Sequence, residues 1–247
     1  MKIATYNIWN SEAGLPFRFQ QIIDEITNLD AAIICLQEVA NREWHDEISA
    51  LCGYFYSCYQ EKPGLSILSR FPIEKTYDFE FGTAACMQME GKTILITNVH
   101  LPWDSASLRE KSIVDIVNGI ADVEADISFL MGDFNSSADS SVHRFLMNEQ
   151  SLLGCDAYFY DLAEAFAEMA GTQPLTTLDF RKNPRWGVIQ SKNTIEVSQR
   201  FDWILLKNPY PAEFPTLKFY RIFGTKISEE TGLAASDHYG ALAEIEL

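Results

Sequence analysis

No apolar stretch in this 247-residue chain is long enough to cross a bilayer, and the opening "MKIATYNIWN" lacks the apolar core of a signal peptide. The two absences together predict a soluble, cytoplasmic protein. Cysteine is sparse, with five residues at positions 35, 52, 58, 86 and 155. The number is odd and no CxxC spacing occurs, which points away from a disulfide framework or a zinc site and toward reduced thiols. Positive charge is also short. Lys and Arg number 19 against 35 Asp and Glu, for a net charge of −16, which disfavours tight non-specific binding to a phosphate backbone. Nucleic acid stays possible as a partner only if a local basic patch or a bound cation reverses the field in one cleft. Neither a GxSxG elbow nor a GKS/T loop is present, so serine hydrolases and P-loop NTPases are disfavoured. With no linker, repeat or low-complexity segment, residues 1–247 read as one domain.

What is present is a series of strands that end in chemistry. Residues 2–9, "KIATYNIW", alternate in strand fashion, and after Pro16 the stripe Phe19, Ile22, Ile23, Ile26, Leu29 has helical spacing. The apolar run "AAIICLQEV" follows. Strand, helix and strand in that order form a βαβ unit with parallel strands, which sets Asn7 and Glu38 at one rim. "REWHDEISAL" reads as a short helix. "YFYSCYQ", "LSILSRFP", "KTYDFEF", "ACMQME" and "KTILITNVHL" read as strands with turns at Pro63-Gly64, Phe81-Gly82 and Glu90-Gly91. "SLREKSIVDIVNGI" opens on an apparent capping box, Ser107 and Glu110, and is helical. Two more helices are expected near 140–147 and 161–170, the second closed by Gly171. Residues 171–200 are weakly periodic and polar, the mark of a functional loop. "RFDWILLK", "TLKFYRIF" and "YGALAEIEL" complete the strands.

The segment "MGDFNSS" (131–137) leaves the apolar run "ISFLM" with Gly132, Asp133 and Asn135 at its end. Taken alone it is also the composition of an ordinary turn. Other strands end the same way: "TYNIWN" supplies Asn7, "CLQEV" supplies Glu38, and "ITNVHL" supplies Asn98 and His100. Two later strands reverse the order, with Asp202 at the start of one and Ser236, Asp237 and His238 just ahead of the other. If these run antiparallel to the first group, all the polar ends share one rim. Unbridged carboxylates crowded there raise one another's pKa and require a cation, and all-oxygen donors suit Mg²⁺ or Mn²⁺. Such a rim suits phosphoryl chemistry, with a cation neutralising a phosphate oxygen, a carboxylate orienting water, and Asn and His donors stabilising charge at phosphorus.

At these residues the chain resembles the endonuclease/exonuclease/phosphatase superfamily, the DNase I-like group that includes abasic-site endonucleases, deadenylases, neutral sphingomyelinases and inositol-polyphosphate 5-phosphatases. "TYNIWN", "LQEV", "NVHL", "GDFN", "RFDWILL" and "SDHYG" occur in the family's order over nearly the whole chain. The resemblance implies a four-layer α/β sandwich, two mixed β-sheets packed face to face with helices outside. It also implies roles. Glu38 is the main metal carboxylate, with Asn7 nearby and Asp237 from the opposite side. Asp133 orients or activates the attacking water, and Asn135 holds the phosphate or that water. His238, paired with Asp202, donates to a phosphate oxygen, and His100 is a second phosphate donor. Two departures stand out. Tyr239 follows the "SDH" histidine where the family often has Pro, and the phosphate-binding tyrosine of abasic-site endonucleases has no clear counterpart.

Several residues admit two readings. Asn98 is either a substrate contact or part of the sheet, and "SILSR" (66–70) is scaffold. Trp9, Trp103 and Trp186 stand in presumed rim loops and serve either stacking or packing. Arg181, Lys182 and Arg185 form the best local basic cluster, binding a second phosphate or only coating a solvated loop. The expectation is a Mg²⁺- or Mn²⁺-dependent phosphoesterase acting by direct water attack on a small or short, specific phosphodiester or phosphomonoester. The first alternative is a metal-dependent nuclease acting on DNA or RNA. A family member that binds without catalysis is the remaining one, and retention of all the acidic and His motifs argues against it.

Overall fold

A computed structural model describes residues 1–186 and 195–247. Twelve strands form two six-stranded mixed sheets among the described residues. In the first sheet β1 (Lys2–Asn7) and β2 (Ile33–Gln37) run parallel across α1 (Phe17–Leu29), as the βαβ reading requires. β4 (Leu65–Ser69) and β3 (Tyr56–Gln60) extend one side, and β12 (Gly240–Glu246) and β11 (Thr216–Phe223) the other, in the order β11-β12-β1-β2-β4-β3. The second sheet has the order β5-β6-β7-β8-β10-β9, from β5 (Ile73–Phe79), β6 (Gly82–Met89), β7 (Lys92–His100), β8 (Ile127–Asp133), β10 (Asp202–Lys207) and β9 (Phe159–Asp161). β7 and β8 are parallel, while β10 is antiparallel to β8 and β12 is antiparallel to β1. The polar beginnings of β10 and β12 therefore meet the polar ends of β1, β2, β7 and β8.

Hydrophobic burial explains the layering. Between the sheets lie the inward side chains of both, among them Ile3, Ile33, Ile67, Ile96, Phe129 and Ile204. α1 and α2 (Arg42–Leu51) cover the outer face of the first sheet through Ile22, Ile26 and Ile48. α3 (Ala106–Gly119) and α4 (Ser141–Leu146) cover the second through Ile113, Ile116, Phe145 and Leu146. The order helix, sheet, sheet, helix is the expected four-layer sandwich.

α5 (Leu162–Ala170) departs from the outer layers. Leu162 and Ala163 enter the inter-sheet core and Phe166 meets Phe219 edge-on, so this helix closes the gap between the sheets at one side. Its cap, Asp161, is also held by Arg200 at 2.7 Å and His143 at 3.0 Å. The α3 cap also differs from expectation. Ser105, not Ser107, accepts the Leu108 N–H, and Glu110 instead accepts a short hydrogen bond from Ser141 Oγ in α4, joining the two helices.

His45 ties α2 to the sheet. Its ring nitrogens meet Ser66 Oγ at 2.8 Å and Ser57 Oγ at 3.0 Å, and burial lowers its pKa to about 4. A group neutral in the fold but protonated in the unfolded chain loses stability as pH falls from its unfolded toward its folded value. Acidification from pH 7 to pH 5 is thus expected to cost about 2 kcal/mol through His45 alone. Urea midpoints for wild type and His45→Gln at both pH values check this, and the variant should lose correspondingly less. Among the described residues no helix is long and apolar enough to cross a membrane.

Candidate active site

Strand register builds the site before any side chain is considered. His100 on β7 pairs with Asp133 on β8, and Asp133 pairs with Asp202 on β10, so the three form one row across adjacent strands. In the facing sheet Asn7 pairs with Gln37, and Glu38 is the next residue. The sheets pack face to face, and the two rows meet at the rim.

Asn7 joins them. Its Nδ2 donates to Glu38 Oε1 and to Asp133 Oδ2, both at 3.0 Å, and its Oδ1 accepts the Trp9 N–H at 2.9 Å. Glu38 Oε2 accepts the Asn10 N–H at 2.8 Å. His100 Nε2 lies 3.8 Å from Glu38 Oε1 and 3.7 Å from Asp133 Oδ2. Asp133 is almost fully buried, and its Oδ1 accepts the Asn135 N–H at 2.8 Å while Asn135 Nδ2 donates to the Leu101 carbonyl. Trp9, Glu38 and Asn135, which follow three of these strand ends, have left-handed φ values of 58°, 57° and 46°. Strained backbone at non-glycine residues of one cleft is typical of a functional site.

His238 enters from the other side. Its Nδ1 meets Asp202 Oδ2 at 3.0 Å, and its Nε2 lies 3.8 Å from Asp133 Oδ2. Burial by itself would lower the His238 pKa, but Asp202 and Asp133 outweigh it and hold the ring well above its ordinary value. Burial also raises Asp202, as does neighbouring Asp133, against the pull of His238. Asp237 is raised by burial and by Glu38. Crowded carboxylates thus raise one another along the rim, with His238 as the cation among them.

Residues 171–186 and 195–200 act as a brace, which weak periodicity could not reveal. Asn183 Nδ2 donates to the Ser236 and Asp237 carbonyls at 2.9 and 3.0 Å, and Trp186 Nε1 donates to the Asp237 carbonyl at 2.9 Å. Ser236 Oγ donates to the Asn7 carbonyl at 2.7 Å. Thr177 accepts the Asp202 N–H on its hydroxyl and the Tyr239 N–H on its carbonyl. That last bond accounts for the absence of Pro at 239, since Pro has no N–H to donate. Residues 187–194 of the expected loop lie outside the described residues.

Other site candidates are held inside the protein's own hydrogen bonding. Asn98 does not reach the cleft. It is fully buried between the sheets, with Nδ2 on the Leu36 and Ser66 carbonyls, both at 2.9 Å, and Oδ1 accepting from Gln37 Nε2 at 2.7 Å. Asn98→Ala strands two carbonyls and an amide, and is expected to cost about 3 kcal/mol of stability while the folded protein keeps near-normal kcat, read from urea midpoints beside rates. Trp186 and Arg185 are used internally, Arg185 donating to the Ala234 carbonyl at 2.6 Å. Asn7 turns donors toward the carboxylates, so only Oδ1, already bonded to Trp9, could face a cation. Arg181 Nη2 meets the Glu196 carbonyl at 3.2 Å, within the loop. Arg18, unflagged by motif, is fully buried beside Trp9. Its spacing from Ile22 and Ile26 on the apolar stripe was the available signal.

The donor set fits a hard divalent cation. Glu38 Oε1 and Asp133 Oδ2 converge on one neutral amide, with buried Asp202 and half-buried Asp237 nearby, an excess of anionic oxygen that Mg²⁺ or Mn²⁺ would offset. Asp133, Asp202 and His238 offer ligand atoms within 4.8 Å of one another. A second such trio, His143, Asp161 and Glu164, already encloses Arg200, whose guanidinium supplies the countercharge.

A model of the endonuclease/exonuclease/phosphatase family matches residues 4–238. No curated protein sequence matches this chain. Among solved structures, D. rerio TDP2 complexed with single-strand DNA product superposes with a TM-score of 0.77 at 17% identity, covering 100% of this chain and 99% of that one. A functionally unknown conserved protein from Enterococcus faecalis V583 gives 0.70 at 21% identity, with 99% of each chain covered. An endonuclease/exonuclease/phosphatase family protein from Leptotrichia buccalis gives 0.69 at 18%, covering 100% of both. At these identities the likeness is one of fold, the DNase I-like pair of mixed sheets.

Proposed function

The chain belongs to the endonuclease/exonuclease/phosphatase family, and from that premise we propose that it is a Mg²⁺- or Mn²⁺-dependent phosphoesterase that hydrolyses its substrate by direct attack of water. The observation that carries the reading is the convergence of Glu38, Asp133 and the His238–Asp202 pair on one rim around Asn7. Glu38 and Asp237 would hold the cation, with Asn7 positioning Glu38 through its Nδ2. Bound there, it supplies a Lewis acid for a phosphate oxygen.

The chain's own groups do the rest. Asp133, fixed through Oδ1 by the Asn135 N–H, presents Oδ2 to orient a water and accept its proton. His238, held by Asp202, donates from Nε2 to a phosphate oxygen as negative charge builds. His100 is a second donor at the more open side, and the Asn135 amide, held on the Leu101 carbonyl, would position the water or the phosphate. A net charge of −16 favours a small or short, specific ester. Five free thiols fit a cytoplasmic location.

A second reading, action on single-stranded nucleic acid, is favoured by the similarity to a structure that contains single-strand DNA product. Hydrolysis of bis-p-nitrophenyl phosphate, p-nitrophenyl phosphate and single- and double-stranded DNA and RNA, with Mg²⁺, Mn²⁺ or EDTA, tests both. Metal-dependent turnover of the small esters supports the first reading, and turnover confined to nucleic acid supports the second. Equal rates in metal and EDTA would contradict both.

A further inference from the structure

Two arginines outside the proposed chemistry converge on the loop that leaves β1. Arg18, fully buried at the start of α1, donates through Nη1 to the carbonyls of Ile8 at 2.8 Å and Ala235 at 3.5 Å, and through Nη2 to the Ser11 carbonyl. Arg185 donates through Nε to the Ala234 carbonyl at 2.6 Å and through Nη1 to the Ala13 carbonyl at 3.4 Å. Both guanidinium carbons lie over the Trp9 ring, at 5.4 and 5.1 Å. Carbonyls 8, 11 and 13 of one loop are thereby fastened to carbonyls 234 and 235, directly ahead of Ser236, Asp237 and His238.

Stability alone is a poor reason for such a construction. Burial, and next the charge of Arg185, lower the Arg18 pKa to about 10, and among the described residues Arg18 Nε and Arg185 Nη2 are buried without a hydrogen-bond partner. Apolar side chains would fill the space at less cost. The benefit falls on Trp9 and Asn10, which lie between the anchored carbonyls of Ile8 and Ser11. Trp9 has a left-handed φ, its N–H holds Asn7 Oδ1, and the Asn10 N–H holds Glu38 Oε2.

We propose that Arg18 and Arg185 are positioning residues for the divalent-cation site, locking the Trp9-Asn10 backbone to the Ala234-Ala235 backbone so that Glu38 and Asp237 face each other at a fixed separation. The inference rests on the reading of those two carboxylates as cation ligands. Two variants perturb the lock in different ways. Arg185→Lys keeps a cation near Trp9 but removes the guanidinium that spans Ala13 and Ala234. Gly14→Ala keeps both arginines but sets a methyl 3.3 Å from Arg185 Nη2, at a φ of 88° that suits glycine.

The experiment is calorimetric titration of each protein with Mn²⁺ alone, alongside amide hydrogen exchange. Both variants should bind Mn²⁺ about 10- to 100-fold more weakly than wild type, the range for groups that orient metal ligands. The Trp9 and Asn10 amides should exchange faster while those of β8 stay protected. Variants that bind Mn²⁺ as tightly as wild type overturn the inference and leave the phosphoesterase reading intact. A wild-type protein that takes up no Mn²⁺ overturns the cation reading itself, and the inference with it.

Discussion

Asp133→Asn is expected to lower kcat on any ester the wild type hydrolyses by about 10³-fold or more, the combined scale of lost base catalysis and lost charge stabilisation. The amide keeps an oxygen for the Asn135 N–H, so the backbone turn survives. Its nitrogen, however, meets the Nδ2 of Asn7 and faces His100 and His238 as a donor among donors. The carboxylate that accepts the proton from water is then gone from that point. Steady-state rates beside a circular dichroism melt separate this loss from unfolding. A variant within tenfold of wild type would move the water-activating role to Glu38 or to solvent.

Asp202→Asn tests the other arm of the row. Asp202 is fully buried and its Oδ2 meets the back of His238 at 3.0 Å, so its main route to the cleft is through the ring. The carboxylate fixes the Nδ1–H tautomer and supplies charge that keeps the ring cationic against burial. The amide does neither with certainty of orientation, and kcat should fall about 100-fold with little change in KM. His238→Gln should fall as far, and the double variant no further, because the two residues act as one unit. Additive losses would show that Asp202 works by a route other than His238.

Periodicity made the sheets legible, since alternation and apolar runs report burial directly. The βαβ unit at residues 2–37 followed from that pattern, while the antiparallel return of β10 and β12 was a condition for gathering the polar ends that the pairing of the strands meets. Rim residues were legible for the same reason, because Asp133 and Glu38 break runs that burial would otherwise continue. Residues whose role depends on hydrogen bonds were not. Asn98 stands in the same strand as His100, two residues away, and only the inter-sheet amide network distinguishes a bridge from a ligand. Asn183 and Thr177 brace the His238 turn through backbone carbonyls and amides, contacts that leave no imprint on residue type or spacing. β9 and the inward seating of α5 escaped because three residues carry no period and Leu162 and Ala163 suit either face of a helix.

One measurement bears most directly on the claim that these strand ends form a site for water attack at phosphorus. Metal-supported hydrolysis of bis-p-nitrophenyl phosphate in ¹⁸O-labelled water, followed by mass spectrometry, reports which bond breaks. The account predicts one label per turnover in p-nitrophenyl phosphate and none in p-nitrophenol, with the rate of labelled product formation falling about 10³-fold in Asp133→Asn. Label in p-nitrophenol, or an undiminished rate of labelled product formation in the variant, would contradict it.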